Sequence, residues 1–270
     1  MTDDERLSEL LKVASAAVDQ AATLVRKQVP NGRPTVKSDR DIATEVDYLV
    51  EREVRRFLAE ATPELGFLGE EEGASDGAAN DLPYWVLDPI DGTSNFAHGL
   101  PLCSVSLGLI RDQVSIVGVV DLPFLGERYE AIRGGGARLN GIVQQRGPDP
   151  ALSQAIVAIG DYAIGENAGE RNQVRLQLTA LLAAKVERVR MFGSAAIDLA
   201  WVAAGRLDAS LMLANKPWDT AAGVLLAREA GAAVCDLDGS PHTVTSSGTI
   251  AVAGGLREQL LGLLEEAGAA

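Results

Sequence analysis

The chain has 270 residues, and its 24 Lys and Arg stand against 38 Asp and Glu, a formal net charge of −14. With 47% hydrophobic residues it can bury a sizeable core as one large domain or two modest ones, which excludes global disorder. The acidic balance argues against a nucleic-acid partner, because phosphate neutralisation needs clustered Lys and Arg. It leaves an anionic small substrate open, provided something local supplies positive charge.

Cys103 and Cys235 are the only cysteines and form no CxxC, so no disulfide framework is expected. The opening MTDDERLSEL lacks the basic and then apolar run of a signal peptide. No stretch approaches the ~18 apolar residues of a membrane span. The expectation is a cytoplasmic protein with no membrane partner.

Leu7, Leu10, Leu11, Ala14, Val18, Ala21, Ala22 and Val25 recur at three- and four-residue steps, predicting a helix over 4–28. Pro30, Asn31, Gly32 and Pro34 end it. Val46, Leu49, Val50, Val54, Phe57 and Leu58 predict a second helix, closed by Pro63. Short strands follow at 66–70, 84–88, 104–110, 115–122 and 127–132, each bounded by Gly, Pro or Asp. The small, polar segment 72–83 reads as a mobile surface loop.

Beyond residue 150, strand and helix alternate: 155–160, 171–184, 186–192, 195–205, 207–213 and 218–231. That alternation predicts layered α/β packing. The two prolines of GPDPALSQ mark the boundary between an N-terminal α+β half, 1–146, and a C-terminal α/β half, 147–270, within one compact unit.

The stretch WVLDPIDGTSNF, 85–96, carries the chemistry. An apolar strand delivers Asp88, and Pro89 keeps it extended. Asp91 follows on the turn. Two carboxylates so placed repel each other unless a cation lies between them, and hard divalent cations such as Mg²⁺ take oxygen ligands. The Ile90 carbonyl, between the two, is a candidate third ligand. Gly92 permits close backbone approach, and a helix opened by Thr93 would aim N–H groups at an anion. The competing reading is an Asp-rich β-turn, since DG is a common turn dipeptide. Other acidic groups also have two readings. Glu70, Glu71 and Glu72 suit either ligation or a solvated charge run. Thr44 and Asp219 suit either a site or helix caps.

Taken together, ATEVD (43–47), GEE (69–71), DPIDGTSNF (88–96), GVVDLPFLGERYEAIRGGGARLNG (118–141), GSAAIDLAWVAAGRLDA (193–209) and WDTAAGVLLAREAG (218–231) resemble the inositol monophosphatase family of Mg²⁺-dependent, often lithium-sensitive sugar phosphatases. The resemblance covers nearly the whole chain in order. It implies an α/β fold, a layered αβαβα sandwich, and commonly a homodimer. By that likeness, Glu70, Asp88 and the Ile90 carbonyl hold a first Mg²⁺. Asp88, Asp91 and Asp219 hold a second, and a third, largely water-coordinated ion lies near Glu70. Asp47 and Thr93 match the pair that activates the attacking water, with Glu70 also in the catalytic set. Gly92, Thr93, Ser94 and Ala195 match phosphate-binding positions. Lys37 and Glu71 match the loops beside the site. The nucleophile implied is a metal-activated water, with no phosphoenzyme and no role for His98 or His242.

Two departures bear on substrate. Ser94 replaces the usual second Thr of DGTTNF and keeps a hydroxyl. Met212 stands where animal members carry a Glu that accepts substrate hydroxyls, and a thioether cannot accept as a carboxylate does. Lys216 adds a cation near the expected substrate rim, or is a solvated surface lysine. The expected substrate is a small inositol-phosphate-like polyol or sugar phosphate. Histidinol phosphate, fructose 1,6-bisphosphate and a 3′-phosphonucleotide are alternatives. An RNA-associated regulatory factor is the alternative of another class.

Overall fold

A computed structural model describes residues 2–28, 35–38, 41–75 and 82–269, with backbone alone for 35–38 and 41–43. In chain order its elements are α1 (Asp3–Lys27), β1 (Thr35–Ser38), β2 (Asp41–Ala43), α2 (Glu45–Ala61), β3 (Gly66–Gly69), β4 (Gly73–Ala74), β5 (Tyr84–Asp91), α3 (Thr93–Ala97), β6 (Ser104–Arg111), β7 (Val114–Leu122), β8 (Glu127–Ile132), β9 (Ala137–Leu139) and β10 (Ile142–Gln144). Then come β11 (Ile156–Ile159), α4 (Ala168–Lys185), β12 (Arg188–Arg190), α5 (Ala195–Ala203), β13 (Ala209–Met212), α6 (Pro217–Glu229), β14 (Ala233–Cys235), β15 (Thr249–Val252) and α7 (Arg257–Glu266).

The expected α1 forms because Thr2 and Glu5 cap it reciprocally and its apolar stripe, Leu7 to Val25, is buried. That stripe and Val50, Val54 and Leu58 of α2 pack on Leu87, Leu107, Val117 and Val119 of the first sheet. The first sheet has eight strands in the order β10-β9-β8-β7-β6-β5-β3-β4. Its other face takes α5 and α6: Val120, Leu122 and Tyr129 meet Ile197, Ala200, Leu225 and Leu226. Gly108 and Gly118 bring α6 close, since a Cβ on either would stand 2.9 Å from Ala221 or Ala222.

The second sheet, β12-β11-β13-β15-β14, covers the far side of α5 and α6. Ala158, Met212 and Ala251 face Leu199, Val202 and Val224. On its outer face Val157, Leu211 and Ile250 meet Leu178 and Leu182 of α4 and Leu260 and Leu263 of α7. The layers are therefore α1/α2, sheet, α5/α6, sheet, α4/α7, which is the expected αβαβα sandwich.

Some elements differ from expectation. The strand at 186–192 shortens to Arg188–Arg190 at a sheet edge, and the helix at 171–184 starts earlier, at Ala168. The loop at 72–83 begins with β4, which pairs with β3, while 76–81 and the Pro30–Pro34 stop lie outside the described residues. The C-terminal β14, β15 and α7 carry no motif and were not anticipated. Cys103 and Cys235 are free and buried. Among the described residues no helix is long and apolar enough to cross a membrane.

Candidate active site

The central strand β5 runs parallel to β3 and antiparallel to β6. Its register with β6 passes from Asp88↔Ser106 to Asp91↔Ser104, three residues on one strand against two on the other. Residues i and i+3 of a regular strand face opposite ways; the extra residue of this bulge returns Asp91 to the side of Asp88. Pro89, which has no N–H to pair, is tolerated at such a break. Glu70 leaves β3 at the same end, its N–H donating to the Leu87 carbonyl at 3.3 Å. Gly92 then turns the chain with φ +86°, and a Cβ there would stand 2.8 Å from the Leu102 carbonyl oxygen. Thr93 opens α3 immediately after.

Asp47 approaches from α2 and is fully buried. The Thr44 N–H donates to its Oδ2 at 2.8 Å and the Thr44 hydroxyl to the same oxygen at 2.5 Å. Thr44 is thus the helix cap, and the cap fixes the Asp47 carboxylate. Thr93 Oγ1 lies 3.2 Å from Asp47 Oδ1 and 2.9 Å from the Ile90 carbonyl oxygen. Burial raises the Asp47 pKa against the Thr44 and Thr93 hydrogen bonds, and the Glu71 charge raises it further.

Asp91 is held by two elements, β6 and the N-terminus of α5. Its Oδ2 accepts from the Ser194 hydroxyl, from the Ala196 N–H at 2.8 Å and from the Ser104 hydroxyl at 3.4 Å, and Oδ1 accepts from the Ala195 N–H at 3.2 Å. The N-terminus of α5 therefore faces Asp91, so the N–H of Ala195, expected at phosphate, is already engaged. Burial raises the Asp91 pKa, and those hydrogen bonds oppose the rise. Asp219, in the first turn of α6 behind Pro217, accepts the Lys216 N–H at 2.6 Å and is pushed up to about 7, chiefly by burial.

Asp88 binds the set together. Burial, then repulsion from Glu70, Asp91, Asp219 and Asp47, holds its carboxyl well above the usual range. Asp88 Oδ1 is buried and meets no hydrogen-bond donor. An orphaned buried carboxylate oxygen among other carboxylates and the Ile90 carbonyl is a donor set of hard oxygens, which fits Mg²⁺ or a similar cation. Among the described residues no group of three or more His, Cys, Asp or Glu is gathered closely enough to hold a metal ion.

The remaining predicted residues are spread around this centre. Ser94 is exposed, and its carbonyl accepts from His98 Nδ1 at 2.8 Å. Lys216 caps α6, is exposed, and its charge lowers the Asp219 pKa. Glu71 lies near enough to Asp47 to raise it. The side chain of Lys37 lies outside the described residues. Met212 is at 2% exposure and belongs to the core between the helices and the second sheet, not to the rim. His242 is buried, with Nε2 2.8 Å from the Thr249 hydroxyl, and its pKa falls to about 4 through desolvation, so it serves the fold.

Several residues escaped sequence reasoning. Ser104 and Ser194 orient Asp91. Asp198 is buried on α5, with Oδ1 unpartnered, and its pKa is raised well above normal by burial and by Asp91 and Asp161. Asp161 follows the end of β11. It is an exposed residue whose carboxylate is still desolvated, and its Oδ2 would stand 3.5 Å from a Cβ on Gly193. Only the GSAAID motif hinted at this corner.

Comparison with known proteins agrees with the geometry. The profile of the inositol monophosphatase family matches residues 6–269. An inositol-1-monophosphatase ImpA of Mycolicibacterium smegmatis is 38% identical over 267 residues, covering 98% of this chain and 95% of its own. The extragenic suppressor protein suhB of Bartonella henselae superposes with a TM-score of 0.88 at 31% identity, covering 96% of this chain and 99% of its own. An IMPase/NADP phosphatase solved with Mg²⁺ and phosphate gives a TM-score of 0.83 at 25% identity, covering 96% of this chain and 95% of its own. The chain belongs to the inositol monophosphatase family and is a phosphoric monoester hydrolase.

Proposed function

We propose that the chain hydrolyses a small polyol or sugar phosphate, of the inositol phosphate kind, with Mg²⁺ as cofactor and water as nucleophile. The observation that carries this is the buried, donorless Asp88 oxygen ringed by carboxylates that raise its pKa. Glu70, Asp88 and the Ile90 carbonyl would hold one cation; Asp88, Asp91 and Asp219 a second; Glu70 would border a third. Bound Mg²⁺ supplies charge neutralisation of the ester and a more acidic water. A related structure with Mg²⁺ and phosphate supports the cofactor.

The chain's own residues do the positioning. The single Thr93 proton has two acceptors in reach, the Ile90 carbonyl and Asp47 Oδ1. When the Ile90 carbonyl is engaged in ligation, Asp47 is the acceptor that remains. The Thr93 oxygen is then free to accept from the attacking water, and Asp47, its pKa raised by burial, receives the proton passed on. The N–H groups of Gly92 and Thr93, with Ser94 and Lys216 near the opening, would meet the phosphate.

Met212 in the core cannot receive substrate hydroxyls. Asp161, two residues past the end of β11, the parallel neighbour of β13, is the carboxylate we assign to that task. A net charge of −14 disfavours the RNA-associated alternative. Two buried free thiols suit a reducing cytoplasm, and a homodimer is the assembly proposed from the resemblance, to be checked by sedimentation. The decisive test is phosphate release from a panel of monoesters with and without Mg²⁺. Mg²⁺-dependent release, inhibited by Li⁺ and abolished in Asp88→Asn, is expected. Release that continues undiminished in a chelator refutes the reading.

A further inference from the structure

Glu51 lies one helical turn beyond Asp47 on α2, and no motif marks it. It is fully buried. Its carboxylate reaches the turn after β3: Oε2 accepts the Glu71 N–H at 2.7 Å, and Oε1 accepts the Glu72 N–H at 2.9 Å. Arg55, one turn further along α2, donates to Glu51 Oε1 at 2.8 Å and to the Gly73 carbonyl at 2.7 Å. Its guanidinium stands 4.4 Å from the Phe67 ring centroid. Every residue from Glu71 to Gly73 is thereby tied to α2 through one ion pair. A buried carboxylate satisfied by two successive amides and a guanidinium has little freedom to move.

Gly69 makes room for this arrangement. A Cβ on Gly69 would stand 2.2 Å from Glu51 Cδ and 2.3 Å from its Oε1, so a side chain there and the carboxylate cannot share the space. Glu70 is the residue between Gly69 and the tethered Glu71. Helix α2 thus presents two carboxylates one turn apart, Asp47 toward Thr93 and Glu51 toward the turn that carries Glu70.

We propose that Glu51 is a positioning residue for metal loading. It clamps the Glu70–Glu72 turn to α2 so that Glu70 enters the carboxylate cluster in fixed register with Asp47, and residue 69 is glycine to admit the clamp. This rests on the reading of the cluster as a divalent-cation site. The alternative is that Glu51 merely stabilises the fold, and the two differ in metal affinity.

The test is calorimetric titration of Mg²⁺ into wild type, Glu51→Gln, Gly69→Ala and the double variant Glu51→Ala/Gly69→Ala, with Glu51→Ala as reference and metal-free melting curves for each. Glu51→Gln and Gly69→Ala should each weaken Mg²⁺ binding about tenfold or more while the metal-free protein stays folded. Gly69→Ala should add little in the Glu51→Ala background, because the clash partner is gone. Folded Glu51→Gln with wild-type Mg²⁺ affinity overturns the proposal, as does strict additivity in the double variant. Should Glu51→Gln fail to fold, wild-type affinity in Gly69→Ala overturns it equally. Failure of the wild type to bind Mg²⁺ or release phosphate would instead sink the reading of the site itself.

Discussion

Asp219→Asn should stabilise the metal-free protein while removing its response to Mg²⁺. Burial, with the Asp91 and Glu70 charges added, lifts the Asp219 carboxyl from 3.8 to about 7. A rise of that size corresponds to about 4 kcal/mol at 1.36 kcal/mol per pH unit, and partial exposure of the residue discounts it to about 2 kcal/mol. The sign follows from the direction. A carboxyl whose folded pKa is raised keeps its proton in the native state where the unfolded chain has lost it. Its stabilising contribution is full below about pH 4 and is lost as pH rises through about 7. Asparagine has no such titration, and its amide oxygen still accepts the Lys216 N–H. In chelator, the variant should melt about 4–8 °C above wild type at about pH 8, with the gap closing toward pH 4. Saturating Mg²⁺ should reverse the order, since a ligand at a hundred times its Kd stabilises by about 2.7 kcal/mol and the variant lacks a ligand for it. Calorimetric melts across pH, with and without Mg²⁺, read both effects. A pH-independent gap, or an equal Mg²⁺ gain in both proteins, would refute the reasoning.

Thr93→Ala should lower kcat about a hundredfold or more while Mg²⁺ affinity by titration stays near wild type; equal losses in both would remove its role as proton relay. Asp161→Ala should raise KM for inositol phosphate about tenfold, as expected for loss of a hydrogen bond to a charged acceptor. It should leave KM for p-nitrophenyl phosphate, which has no hydroxyls, unchanged, and a uniform change in both would count against hydroxyl recognition. Gly92→Ala should cost at least about 2 kcal/mol, because its φ of +86° disfavours any side chain and a Cβ would meet the Leu102 carbonyl. An unaltered urea midpoint would show that the turn can relax.

The sequence alone determined the family of this protein and, with it, the class of reaction, hydrolysis of a phosphate monoester. Carboxylates after an apolar strand, a DG turn and a Thr are local features, legible because ligation chemistry restricts residue type and spacing. Helices α1 and α2 were legible for a similar reason, since amphipathic periodicity is a property of neighbouring residues. What only the tertiary structure decided is how residues remote in sequence meet. Ser104 and Ser194 reach Asp91 only because β6 pairs with β5 and α5 begins against it. The bulge at Asp88–Asp91 appears only in the register with β6. Met212 reads as a rim position by resemblance to family members with a Glu there, but β13 lies between two layers and buries it. Glu51 looks like one more surface charge on a polar helix until Gly69 opens space beneath it. Burial and cross-strand pairing depend on the whole chain's packing, which no single window of residues contains.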